Sequence, residues 1–204
     1  TTFKVGKSPG SYNSQIGVAL SILHLSLDFE IAVIEAGISQ SGEMENLERM
    51  IRPDYGILTH MGDVHNEGFS SFENKMKEKL ILFKNSKMVW CLYQDYIYAK
   101  NYFNTSKLFA IGLNQNASIQ LNNVVETAEC VSYEIKFNED KINININVSG
   151  KIAVENSALA ISVAKDMGVS NKHILQVTKE LHAITMQRKI IWNSNNTSVI
   201  LDSY

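Results

Sequence analysis

Several apolar, strand-like runs in this chain end on a residue able to do chemistry. Glu30-Ile-Ala-Val-Ile-Glu35 ends on an acid, followed by Ala36-Gly37. Tyr55-Gly-Ile-Leu-Thr59 leads into His60 and, across Met61-Gly-Asp-Val64, into His65. Val199-Ile-Leu-Asp202 ends on a second acid. In open α/β sheets ligands bind outside the carboxyl ends of the strands, so these residues are expected along one edge. Carboxylates placed there suit Mg²⁺, which takes a few oxygens from protein and the rest from phosphate and water. Taken singly, each acid reads equally well as a helix cap or a surface charge. Their convergence is what points to a site.

Lys79 is the other informative residue. Ser71 to Lys84 has amphipathic helical spacing, with Ser71 as N-cap. At about 100° per residue, Phe72, Met76, Leu80 and Phe83 form one stripe, and Lys79 falls inside it, roughly 20° from Phe72. Lys77 and Lys84 lie on the opposite side. Burial penalises an ammonium and lowers its pKa. Lys79 therefore either snorkels to the rim of the stripe, or is neutral and chemically modified, or pairs with an acid or a phosphate. The remaining charge between Lys75 and Lys87 reads as a solvated face. Gly6-Lys7-Ser8 has the tail of a phosphate-binding loop, but Thr1 occupies the first glycine position of the motif and Pro9 pushes Ser8 out of helical geometry. His24 reads as a satisfied helix residue, and His173 and His182 have no acidic partner at helical spacing.

The elements that must position these groups alternate. Helical patterns at 14–25, 43–51 and 71–84 separate apolar runs at 30–34 and 55–59, both read as buried strands. Further strands at 87–93 and 107–111 flank a short helix near 95–101. Strand, helix, strand at this spacing argues for βαβ units and a parallel sheet. After Gly112 the pattern changes to antiparallel strands at 117–127, 131–137 and 141–148. In the last, Ile142, Ile144, Ile146 and Val148 alternate with asparagines, giving one buried and one wet face. Helices at 153–167 and 171–184 and a strand pair at 188–192 and 197–202 complete the chain. The fold class is α/β: a mostly parallel sheet flanked by helices, with a small antiparallel flap over 113–149. No strand is expected before Gly10, and both ends read as cut from a longer protein.

Composition narrows the partners. The chain has 204 residues, 45% hydrophobic and 20% charged, with a formal net charge of −2, enough for one sizeable domain. Such a charge gives no basic field for generic nucleic-acid binding. Cys91 and Cys130 are too few for a disulfide scaffold or a four-cysteine zinc site. No apolar run approaches a membrane span, and Thr1-Thr-Phe-Lys-Val-Gly-Lys7 lacks the apolar core of a signal peptide. A cytoplasmic protein is expected.

Four segments together resemble the Mur ligase family: Ser8-Pro-Gly-Ser-Tyr-Asn-Ser-Gln-Ile-Gly17, Ala32-Val-Ile-Glu-Ala-Gly-Ile-Ser-Gln40, His65-Asn-Glu-Gly-Phe69 and Lys77-Glu-Lys-Leu-Ile-Leu-Phe83. The resemblance runs from about Ser8 to Tyr204. It is nearest to the branch that adds D-Ala-D-Ala to UDP-N-acetylmuramoyl tripeptide in cell-wall synthesis, in a form similar to the one fused to an alanine racemase. It implies that residues 1–204 are a central ATP-binding domain without its phosphate-loop segment, and that the whole protein uses ATP and Mg²⁺ to make an amide bond through an acyl phosphate. By the same resemblance Glu35 and His65 are metal ligands and Lys79 is carbamylated, its carbamate serving the metal. Asn156 recognises adenine, Arg188 lies near the phosphates and Asp202 contacts ribose. Ser11 and Asn13 face the muramoyl peptide. The N- and C-terminal domains that bring the substrates lie outside the chain, and the isolated chain is expected to be inactive.

This sequence also departs from the family. Ile152 and Ala153 replace the His-Asn usual in the adenine motif, and His60 stands where asparagine is common. Two other readings remain: a different amide ligase of the superfamily, such as a folylpolyglutamate synthase relative, or a non-enzymatic nucleotide-binding or scaffold domain.

Overall fold

A computed structural model describes residues 2–61 and 69–181, and the backbone alone of the strands at 189–194 and 197–201. The element order is β1(Val5–Lys7), α1(Gln15–Leu23), β2(Ile31–Val33), α2(Glu43–Ile51), β3(Tyr55–Leu58), α3(Phe72–Ile81), β4(Met88–Leu92), α4(Tyr93–Ala99), β5(Leu108–Gly112), β6(Ile119–Glu126), β7(Val131–Phe137), β8(Asp140–Ile146), α5(Lys151–Asp166), α6(Asn171–Glu180), β9(Lys189–Ser194) and β10(Thr197–Leu201). One sheet runs β3-β4-β5-β6-β7-β8, parallel as far as β6 and antiparallel beyond it. The antiparallel strands thus extend the parallel sheet, joined to it through Ile111 opposite Ile119.

β4 shows how the sheet divides the core. Trp90 and Leu92 face one side, with Ile111, Ile135, Ile144 and the α5 residues Ala158 and Leu159. Val89 and Cys91 face the other, with Met44, Leu47, Met76 and Phe83. That alternation is the period of two acting on a strand covered on both faces. In β8 the isoleucines are buried and Asn143 and Asn145 exposed, as the alternation predicts. Ser71 caps α3, its side chain accepting from the Asn74 N–H. Gly56 has no side chain because the Phe83 ring occupies the space, so that an added Cβ would lie 2.4 Å from it.

Three expectations fail. A strand does precede Gly10: β1 pairs in parallel with β2, Val5 opposite Ile31. It escapes the pattern because Val5 is the one strongly apolar residue in Val5-Gly-Lys7, and it stands between Lys4 and Gly6. The strands after it are not both buried. Val33 of β2 is exposed, and β3, the end strand of the six-stranded sheet among the described residues, leaves Tyr55 and Ile57 exposed, so no element covers these faces fully. Third, the charge between Lys75 and Lys87 is not simply a wet face, since Lys75 and Glu78 are buried.

Candidate active site

β2 delivers Glu35 to the sheet edge, and the segment before α1 fastens it there. The Ser8 N–H donates to the Val33 carbonyl at 2.9 Å, continuing the β1–β2 ladder. The Glu35 N–H donates to Ser8 Oγ at 3.0 Å, and Asn13 Nδ2 donates to Glu35 Oε1 at 3.0 Å. The Gly37 N–H closes the loop on the Asn13 carbonyl at 2.8 Å. Glu35 is exposed, and its second oxygen accepts from no described residue. Gly6 and Lys7 lie on β1 and Ser8 is committed to Glu35, so Gly6-Lys7-Ser8 is no phosphate loop here. Ser11 is exposed with φ 61°, a left-handed conformation uncommon outside glycine.

The ends of the neighbouring parallel strands β3 and β4 carry a second group of polar residues. His60, half-exposed, takes a 2.6 Å contact from Gln94 Nε2 at Nδ1. Asp95 is buried at 3% exposure, and its Oδ2 lies 4.0 Å from His60 Nδ1, beyond hydrogen-bond reach, with no partner among the described residues. The backbone N–H of Met61 bonds to the same carboxyl. Burial pushes the Asp95 carboxyl up to about 6; Glu155 adds to the rise, while His60 and Lys79 oppose it. Sequence reasoning misses Asp95. The rule that exposes Glu35 would also find it, since it stands three residues past Leu92 at the carboxyl end of a parallel strand.

Lys79 lies in the last turn of α3, half-buried, its amine making no hydrogen bond or ion pair to a described residue. Burial, and then the charge of Lys75, hold its amine below the usual lysine range, and Asp95 opposes them. Asn156 is exposed on α5, beside the buried Ser157, whose Oγ lies 2.7 Å from the Tyr133 hydroxyl and donates to the Ala153 carbonyl at 2.6 Å. Ser157 thereby ties α5 to β7. His24 Nδ1 lies 2.7 Å from the Leu20 carbonyl, and His173 Nδ1 lies 3.2 Å from Thr2 Oγ1. His65, Arg188, Asp202 and His182 lie outside the described residues. Among the described residues no group of three or more His, Cys, Asp or Glu could hold a metal ion, and no helix is long and apolar enough to cross a membrane. Cys91 is buried, its thiol pushed up to about 12 by that burial, and Cys130 is also a free thiol.

The model of the Mur ligase middle domain matches residues 1–164. The chain belongs to the Mur ligase family. Among curated relatives, a UDP-N-acetylmuramoyl-tripeptide--D-alanyl-D-alanine ligase of Bacillus subtilis is 27% identical over 207 residues, covering 100% of this chain and 44% of the relative. The fold matches MurF from Acinetobacter baumannii with a TM-score of 0.82 at 14% identity, over 99% of this chain and 45% of that one. It matches the MurF ligase of Thermotoga maritima in complex with ADP with a TM-score of 0.76 at 21% identity, over 92% of this chain and 44% of that one. This Mur ligase chain therefore spans a little under half the length of these three relatives.

Proposed function

We propose that the chain is the nucleotide-binding middle domain of an ATP-dependent ligase that joins D-Ala-D-Ala to UDP-N-acetylmuramoyl tripeptide. The γ-phosphoryl group passes to a carboxylate oxygen of the peptide and ADP leaves. The amine nitrogen of the dipeptide then attacks the acyl carbon, phosphate leaves, and the amine gives up a proton. The observation that carries this reading is the match of the whole chain to ligases of this specificity, with Glu35 fastened at the sheet edge by Ser8 and Asn13.

Each residue has a role in this reading. A carboxylate with one oxygen held and one free fits Mg²⁺, which keeps water and phosphate oxygens in its remaining positions; Glu35 and His65 would hold it. When bound, the ion offsets phosphate charge in the transition state. The depressed amine of Lys79 favours the neutral form that CO₂ requires, and the resulting carbamate adds an anionic oxygen. Asn13 orients Glu35 while its loop, with Ser11, faces the peptide substrate. Asn156 reads adenine, Arg188 the phosphates and Asp202 the ribose. ADP release by the intact protein tests the reading. Release that needs both the muramoyl tripeptide and D-Ala-D-Ala is expected; release supported instead by a folate and glutamate would replace it with the folylpolyglutamate class.

A further inference from the structure

α2 begins without a cap of its own. Its N-cap is Gly42, at φ 89°, with no side chain to accept from the first turn. An uncapped helix start leaves N–H groups that must find partners elsewhere. Glu78 of α3 supplies them across the helix pair. Its Oε1 accepts the Gly42 N–H at 2.6 Å and the Met44 N–H at 3.3 Å, and its Oε2 accepts the Ser41 hydroxyl at 3.0 Å. The carboxyl is buried at 6% exposure. Charge-assisted bonds to a helix start are among the stronger polar contacts a protein makes.

Where the clasp sits gives it a second consequence. Loop 36–42 starts at Glu35, which Ser8 and Asn13 hold. Its far end is pinned by Glu78, and the next residue in α3 is Lys79. A continuous set of bonds thus runs from Glu35 through the loop to the helix turn carrying Lys79. A second tie joins α2 to the turn that follows α3: Lys84 Nζ lies 2.9 Å from Glu48 Oε2, and Asn85 donates to Glu48 Oε1 at 2.8 Å. We infer that Glu78 is a positioning residue, whose clasp on the start of α2 sets Lys79 relative to Glu35.

The inference rests on the carbamate role proposed for Lys79. It is tested in the intact protein by ¹³C NMR of the lysine carbamate during titration with ¹³C-bicarbonate. Loss of a buried charged acceptor leaves its donors unsatisfied, so Glu78→Ala is expected to raise the half-saturating bicarbonate about tenfold, and Glu78→Gln, which keeps volume and one oxygen, about threefold. Glu48→Ala cuts the other tie and is expected to stay within about twofold, and Glu48→Gln, which loses only the charge facing Lys84, is expected to stay closer still, which separates positioning from general loosening of the helix pair. If Glu78→Ala does not fold, Glu78→Gln carries the test. The clasp itself is read independently as hydrogen exchange at the Gly42 and Met44 amides, expected to speed about tenfold in Glu78→Gln. A wild-type protein that forms no carbamate signal counts against the function proposed for Lys79. A wild-type signal whose bicarbonate dependence is unmoved in both Glu78 variants, or moved equally by Glu48→Ala, overturns the positioning role.

Discussion

Replacing Asp95 with asparagine removes a buried carboxyl whose charge the fold opposes, so the effect must depend on pH. In the folded chain the group titrates at about 6, against an ordinary 3.8, because burial at the end of β4 disfavours the anion. That difference corresponds to about 3 kcal/mol, and contact with solvent around the half-exposed His60 brings the expected figure to about 2 kcal/mol. The sign follows from proton linkage. Below pH 3.8 the carboxyl is protonated in both states and costs nothing. Between 3.8 and about 6 the unfolded chain ionises while the folded one resists, so wild-type stability falls as pH rises. Above pH 6 the full penalty is present. The amide introduced by Asp95→Asn has no such titration, and its missing partner costs the same at every pH. The stability of the variant relative to wild type should therefore rise by about 2 kcal/mol between about pH 4 and pH 7. Hydrogen exchange at the Trp90 and Cys91 amides of β4, in the intact protein without nucleotide, reads the difference. A difference that stays flat across that range would refute the assignment of a penalised carboxylate to Asp95.

Other perturbations follow from single contacts. Tyr133→Phe removes the bond to Ser157 and should cost about 1 kcal/mol in denaturant unfolding. Ile135→Ala opens a cavity at a fully buried site in β7 and should cost about 2–5 kcal/mol in the same measurement. Gly56→Ala drives a Cβ against the Phe83 ring and should cost about 1–3 kcal/mol by overpacking. If Lys79 carries the proposed carbamate, Lys79→Ala should abolish ligase turnover in the intact protein, with partial rescue by acetate; unchanged turnover would remove Lys79 from the site.

Much of this arrangement is legible in the sequence because the physics is local. The alternation of isoleucine and asparagine in β8 can bury only one face, and Ser71 before an amphipathic run has the side chain a cap needs. Glu35 stands out because an acid at the end of an apolar run meets the rule for open sheets. What escapes is set by residues far apart in sequence. β1 is a strand because β2 lies beside it, Val5 opposite Ile31, and nothing in Val5-Gly-Lys7 reports that. Glu78 looks like one more charge on a wet helix until the bare start of α2 appears beneath it. Asp95 is hidden differently. Its strand is plain in the sequence, but α4 begins at once after β4, so an acid in that first turn passes for an ordinary helix-start charge.

If this domain serves the ligation of D-Ala-D-Ala to a muramoyl tripeptide, the intact protein must make the joined product. Mass spectrometry of the product formed by the intact protein with ATP, Mg²⁺ and both substrates tests it most directly. A pentapeptide product is expected in wild type, with the mass of the two substrates less one water, and is expected to be lost in Glu35→Gln. ATP consumed without that product, or full product from Glu35→Gln, would contradict it.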